Sequence, residues 1–381
     1  MDKKFVMSIA AMAALTLVSC SSDDLDSFSG DSSKNEAISF DGYLGRSAVA
    51  VNGSRGGVET ANTLKTNGFG VFGTYTPTDG QASNLFDNQK VTYFTSTTPT
   101  ESKWTYSPLK FWPANGKIDF LAYAPYDKST KLTDGSKIKD FTVDKDIAKQ
   151  KDLLWTNDMN HQITADLTTA KEKVKFQFHH ALSRLGYTVK LTGDYSSDDV
   201  TFTLKKITLA GSPTDATKGA FYEKGTIDLS TATKKDPSLW SGQTGRQYFD
   251  WFSGEYKVTS STASHPGSDI EKNKDYLFVI PQNFSEKIGE AENSDKLYVI
   301  VEYEVTYKSG TQTSITNKVY KQLTTNFLQG KAYNLNLTIG LPIEFDVNVT
   351  GGIDAGVDGW DAPEDGTGDI NIGSNDTPWE R

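Results

Sequence analysis

The chain carries a single thiol, Cys20, and it ends the run Leu17-Val18-Ser19-Cys20. Small residues ahead of such a cysteine resemble a bacterial lipobox, in which the cysteine is lipidated and becomes the new N-terminus. With Cys20 used in this way the folded part has no thiol, which excludes disulfides, thiolate metal sites and cysteine nucleophiles. Four histidines remain, His161, His179, His180 and His265. No H-E-x-x-H occurs, and His179 and His180, adjacent on a strand, point to opposite faces and do not chelate one ion together. Gly68-Phe69-Gly70-Val71-Phe72-Gly73 fits G-x-G-x-x-G letter for letter, but that motif cradles a pyrophosphate only where a strand runs into a helix N-terminus. Thr74-Tyr75-Thr76-Pro77 follows, which reads as strand and then turn, so the segment is a strand interrupted by glycines. Pro363 stands where an EF-hand loop over Asp361–Gly366 needs an oxygen ligand, and no G-x-S-x-G elbow is present. No catalytic residue, metal site or cofactor is expected.

These residues must be held by something, and the composition says what kind of chain holds them. At 381 residues the expectation is two domains. Apolar residues make up 36%, and the 32 glycines bring the total to an ordinary globular value; 12% aromatics argue against disorder. The net charge is −10 and no basic stripe occurs, so a nucleic-acid partner is excluded. Lys3 and Lys4 precede an apolar run from Phe5 to Val18, too short to span a bilayer core of roughly 30 Å, which makes residues 1–19 a lipoprotein signal peptide. Residues 20–36, polar and rich in Ser, Gly and Asp, read as a flexible tether.

Beyond the tether, period-two patterning dominates and period 3.6 is nearly absent. Val174, Phe176 and Phe178 alternate with polar residues, as do Tyr333, Leu335, Leu337 and Ile339, and again Ile343, Phe345, Val347 and Val349. Tyr276–Ile280 and Leu297–Val301 are continuous apolar runs, the mark of strands covered on both faces. Asp79-Gly80, Asn115-Gly116, Asp134-Gly135 and Ser309-Gly310 supply turns. The class is mostly β, in sandwiches, with an N-terminal domain over 37–170, a C-terminal domain over 171–345, and an acidic C-terminal strand and tail over 346–381. That last stretch holds nine acids against Arg381 alone.

Several segments together resemble the fimbrillin family of Bacteroidales, the pilins and pilus-associated lipoproteins of type V fimbriae. They are Ala37-Ile38-Ser39-Phe40 shortly before Arg46; Phe69-Gly70-Val71-Phe72; Phe111-Trp112-Pro113 with Lys117 to Tyr126; Asp152-Leu153-Leu154-Trp155; Val174 to Leu185; and Gly330-Lys331-Ala332-Tyr333. The acidic Ser21-Ser22-Asp23-Asp24 after Cys20 also resembles the surface-export signal of Bacteroidetes lipoproteins.

The resemblance implies two tandem transthyretin-like β-sandwich domains and a structural subunit of a cell-surface fimbria. It implies partners of three kinds: other pilin subunits, the outer membrane through lipid on Cys20, and a host or bacterial surface ligand. It further implies assembly by donor-strand exchange, in which an Arg-specific protease removes the first strand and a C-terminal segment of the next subunit fills the groove. The removable strand here is Glu36 to Leu44 with Ile38 and Phe40 facing in, and the processing candidates are Arg46 and Arg55, with Arg46 preferred because it directly follows the strand. Ile343, Phe345, Val347 and Val349, continued by Ile353, Val357 and Trp360, form either the donor or the last strand of the chain's own C-terminal sandwich.

A competing reading is a glycan-binding surface lipoprotein of a polysaccharide-uptake system. Exposed, coplanar Trp or Tyr on a sandwich face would favour it, whereas a buried Trp set with a peelable N-terminal strand favours the pilin. Either reading requires the anchor: Cys20→Ala is expected to move the protein from the membrane fraction to the soluble fraction, measured by immunoblot of fractionated cells.

Overall fold

The computed structural model describes residues 36–44, 58–98, 101–163, 173–195, 199–231, 239–266, 276–284, 295–308, 311, 313–351 and 360. It is mostly β. The first half supplies β1 (Phe40–Leu44), helix α1 (Ala61–Asn67), β2 (Phe69–Thr76), β3 (Ser83–Phe94), β4 (Lys103–Thr105), β5 (Gly116–Ala124), β6 (Leu132–Thr133), β7 (Lys137–Thr142), β8 (Leu154–Ile163) and β9 (Val174–His180). The second half supplies β10 (Ser183–Leu191), β11 (Val200–Ala210), β12 (Phe221–Asp228), β13 (Trp240–Gln247), β14 (Phe249–Val258), β15 (Leu277–Val279), β16 (Gln282–Phe284), β17 (Leu297–Tyr307), β18 (Thr313–Leu323), β19 (Thr325–Phe327), β20 (Ala332–Gly340) and β21 (Glu344–Gly351). No described helix is long and apolar enough to cross a membrane.

Seven strands form the first sheet in the order β1-β9-β8-β5-β2-β3-β4. Alternation builds it: in β9, Val174, Phe176 and Phe178 are buried while Lys175 is exposed. One face encloses an aromatic core of Phe40, Phe69, Phe86, Phe120, Phe176 and Phe178. β2 runs unbroken through the glycine-rich segment and ends in a turn. Gly68, between α1 and β2, has φ +70°, and a Cβ there would lie 2.5 Å from the Val91 carbonyl oxygen, so this glycine serves a close backbone approach.

The other face of the first sheet, through Phe72, Leu121, Tyr123 and Trp155, joins the larger core of the second half. There two four-stranded sheets, β15-β10-β20-β21 and β14-β11-β17-β18, turn their apolar rows into one cluster that includes Leu185, Val189, Leu335, Leu337, Leu204, Ile207, Val299 and Val301. A third sheet, β13-β12-β7-β6, takes two strands from each half of the chain. Several polar groups across the junction are paired. The Trp240 indole donates to the Ala181 carbonyl at 2.7 Å, Gln150 accepts from the Phe278 amide at 2.8 Å, and Asn157 donates to the Leu229 carbonyl at 2.7 Å.

Two placements differ from the division expected from sequence. β9 lies beyond the expected boundary at 170/171, yet it pairs with β1 and β8 inside the first sheet. β6 and β7, from the first half, pair with the second half through β7–β12. Period-two patterning sees only the alternation within a strand, and the partner across the ladder is chosen by tertiary packing. Helix α1 also stands where no helical period was read; it is seven residues long and rests on a capping box between Thr60 and Thr63.

Candidate functional site

β1 completes the first core from its edge. It pairs with β9 in parallel, Phe40 opposite Val174 through Leu44 opposite Phe178. Ile38, Phe40 and Leu44 are 1%, 3% and 1% exposed, while Asp41 and Tyr43 face outward. The Phe40 ring lies 5.5 Å from Phe176, 5.4 Å from Phe86 and 5.8 Å from Phe120. Each fully buried side chain of this size stabilises by ~1.5–3 kcal/mol. Gly42 sits where a Cβ would meet the Phe69 ring at 2.8 Å, which lets the β1 backbone come close.

The far side of β1 is held point by point instead of by a continuous ladder. The Ile38 amide donates to the Lys110 carbonyl at 2.8 Å, and the Trp112 amide donates to the Glu36 carbonyl at 3.0 Å. The Tyr106 hydroxyl donates to the Ile38 carbonyl at 2.6 Å, and the Trp104 indole donates to the Gly42 carbonyl at 3.2 Å. Lifting β1 out would strip these groups of partners and open a slot lined by Phe69, Phe86, Phe120, Phe176 and Phe178.

Cys20, Arg46 and Arg55 lie outside the described residues, as do Ile353 and Val357. Phe345, Val347 and Val349 lie on β21, opposite Ile339, Leu337 and Leu335 of β20. Val347 and Val349 are buried in the chain's own second core, and Phe345 is half-buried against it. Ile343 does not join the row: it falls in the turn at 341–343, ahead of the first ladder pair Glu344–Gly340, and is 48% exposed. Among the described residues β21 is an edge strand with one ladder partner, β20.

Trp360 does not extend this row. It packs at the junction of the two halves, where a buried polar cluster escapes sequence reading. Asp152, fully buried, accepts from the Glu59 amide at 3.0 Å and faces His180 Nδ1 at 2.8 Å. The His180 ring stacks on Trp360 with centroids 3.8 Å apart. Glu59 is buried too, accepting from Asn67 at 2.6 Å and Thr63 at 3.0 Å. Burial, and then the Asp152 charge, push its carboxyl up from 4.5 to about 7, against those two hydrogen bonds. Asp152, His180 and Arg184 all fall in segments that carry the family resemblance, which was the available signal, but nothing in their spacing says they meet.

His161 stacks on Trp112 at 5.1 Å and His265 lies 4.5 Å from Tyr187. Among the described residues no group of three or more His, Cys, Asp or Glu converges on a point. Trp104, Trp112, Trp155, Trp240, Trp251 and Trp360 are all buried, and Trp379 lies outside the described residues. No described tryptophan offers a platform for sugar stacking.

A model of the fimbrillin-like family matches residues 58–360, and the chain belongs to that family. It is 26% identical, over an alignment of 406 residues, to fimbrium subunit Fim1C of Phocaeicola vulgatus, covering 96% of this chain and 98% of that protein. Among solved structures, a fimbrial protein from Bacteroides vulgatus shares the fold with a TM-score of 0.57 at 21% identity, covering 83% of this chain and 99% of that one.

The junction makes stability depend on pH. A carboxyl whose pKa is higher folded than unfolded favours the folded state while protonated, and the advantage is lost as pH rises through the folded value. Between about pH 5 and pH 8 the unfolding free energy should fall by about 3 kcal/mol on account of Glu59. In Glu59→Gln that part of the fall should be missing, as urea unfolding at a series of pH values would measure.

Proposed function

We propose that the chain is a structural subunit of a cell-surface fimbria, lipid-anchored through Cys20, which assembles by protease-triggered strand exchange. The observation that carries this reading is the geometry of β1: a five-residue edge strand whose Phe40 and Leu44, with Ile38 just ahead of them, fill the first core. Parallel ladders are slightly weaker per residue than antiparallel ones, and the opposite side of β1 is held at separate points. Removing it leaves main-chain groups to supply affinity and alternate pockets to supply register for an incoming strand. The family match begins at residue 58, downstream of β1, Arg46 and Arg55. Cleavage after either arginine separates Glu36–Leu44 from the matched part.

The donor in this reading is the segment of Phe345, Val347 and Val349 of a neighbouring copy. As an edge strand, β21 can leave β20 without breaking a second ladder. Membership in the fimbrillin-like family supports the fimbrial role, and the buried tryptophans favour it over a glycan-binding platform. A host or bacterial surface ligand belongs to the same reading as the target of adhesion.

Digestion of the purified chain from residue 20 onward with an Arg-specific protease should give a single cut after Arg46 or Arg55 and an SDS-resistant ladder on a non-boiled gel. Replacing both arginines by Ala should abolish cut and ladder together. A cut chain that stays monomeric at all concentrations would overturn strand exchange. Phe345→Asp should leave the monomer folded, because Phe345 is only half-buried, and should stop ladder formation. Circular dichroism and the same gel read the two effects separately.

A further inference from the structure

Trp360 is the largest fully buried side chain of the described residues, and it lies nine residues past the end of β21. Its ring is clasped by groups from the second half of the chain and the last residue of β9. His180 stacks on it at 3.8 Å and 20°, Phe278 lies parallel at 6.0 Å, and the Arg184 guanidinium sits 4.8 Å from its centroid. The same guanidinium lies 4.3 Å from the Tyr276 ring, so Arg184, 2% exposed, is sandwiched between two aromatic faces. Cation–π contacts of this kind gain strength when desolvated. The Trp360 indole N–H, in contrast, finds no acceptor among the described residues. A buried donor without a partner carries a desolvation cost, so the indole is held by its faces and not by its edge.

From these contacts we propose that Trp360 is a latch that keeps the C-terminal segment on its own subunit, and that its withdrawal from the His180–Arg184–Phe278 socket is the step that frees β21 for exchange. The proposal rests on the strand-exchange reading above. β21 is anchored at both ends in this arrangement. Lys321 pairs with Asp346 at 2.6 Å near its start, and the Trp360 plug holds the chain beyond its finish. The socket is also tied to the beginning of the family-matched part: His180 faces Asp152, and Asp152 takes the Glu59 amide. The stretch that follows Arg46 and Arg55 and the segment that would be donated therefore meet at one buried pair. The ligand class of the socket is an indole presented on a peptide, with this chain's own C-terminal segment as its occupant.

Hydrogen exchange read by mass spectrometry on the uncleaved monomer, from residue 20 onward, tests the latch before any assembly. Trp360→Ala should speed exchange over Glu344–Gly351 by at least about tenfold, the scale set by one lost aromatic stack. Trp360→Phe should restore part of the protection, and β17 should be unchanged. Unchanged exchange over β21, or equal acceleration in β17, overturns the latch. After Arg-specific cleavage, Trp360→Ala should form the ladder faster than the unaltered chain; a ladder that forms no faster also overturns it. If β21 loosens in the variant while neither protein forms a ladder, the latch stands and the strand-exchange reading fails.

Discussion

The first core is closed by a strand at the sheet edge, and most of what distinguishes this molecule depends on that. Phe40 touches rings from β3, β5 and β9 at once. The core therefore stays incomplete until β1 is in place, although β1 contributes only five residues of ladder. Natural sheets usually blunt or cover their edges, because an uncovered edge pairs with other chains. Here the edge is covered by a strand joined to the rest through the stretch that carries Arg46 and Arg55, so covering the edge and exposing it differ by one peptide bond in the proposed assembly.

The two halves of the chain do not behave as beads on a string. The third sheet borrows β6 and β7 from one half and β12 and β13 from the other, and a single apolar cluster runs from Phe72 and Trp155 to Leu335 and Val349. Such a junction resists hinge motion, because opening it would expose apolar faces and orphan the Trp240 and Gln150 hydrogen bonds.

The sequence makes strands legible where alternation is strict. β9, β20 and β21 follow the pattern of their apolar residues, and Ile38 and Phe40 face inward as their spacing requires. Legibility ends where the deciding interaction is not local. Ile343 fits the same alternation as Phe345, but its position in the turn at 341–343 leaves it exposed; Gly340 and Pro342 just ahead of it are the local signal for that turn, which the alternation overrode. Asp152, His180 and Glu59 look like ordinary polar residues, and only the fold shows them buried together. Helix α1 is too short for a hydrophobic period to show. Trp360, one aromatic in an acidic and glycine-rich stretch, reads as a continuation of a strand until its socket is seen.

Strand exchange demands that two segments leave while everything else stays. Stability within a fold is uneven, and edge elements open at lower cost than central ones. β11 and β17 lie in the interior of their sheet, with partners on both sides. Among the described residues β1 and β21 have one ladder each; Glu59, downstream of β1, and Trp360, downstream of β21, both meet the buried Asp152–His180 pair. A hydrogen-bonded pair buried between apolar layers contributes little net stability, yet removing one partner leaves the other costly to bury. In this molecule the pair lies where the Glu59 region and the Trp360 segment converge, the two regions that the proposed exchange would disturb.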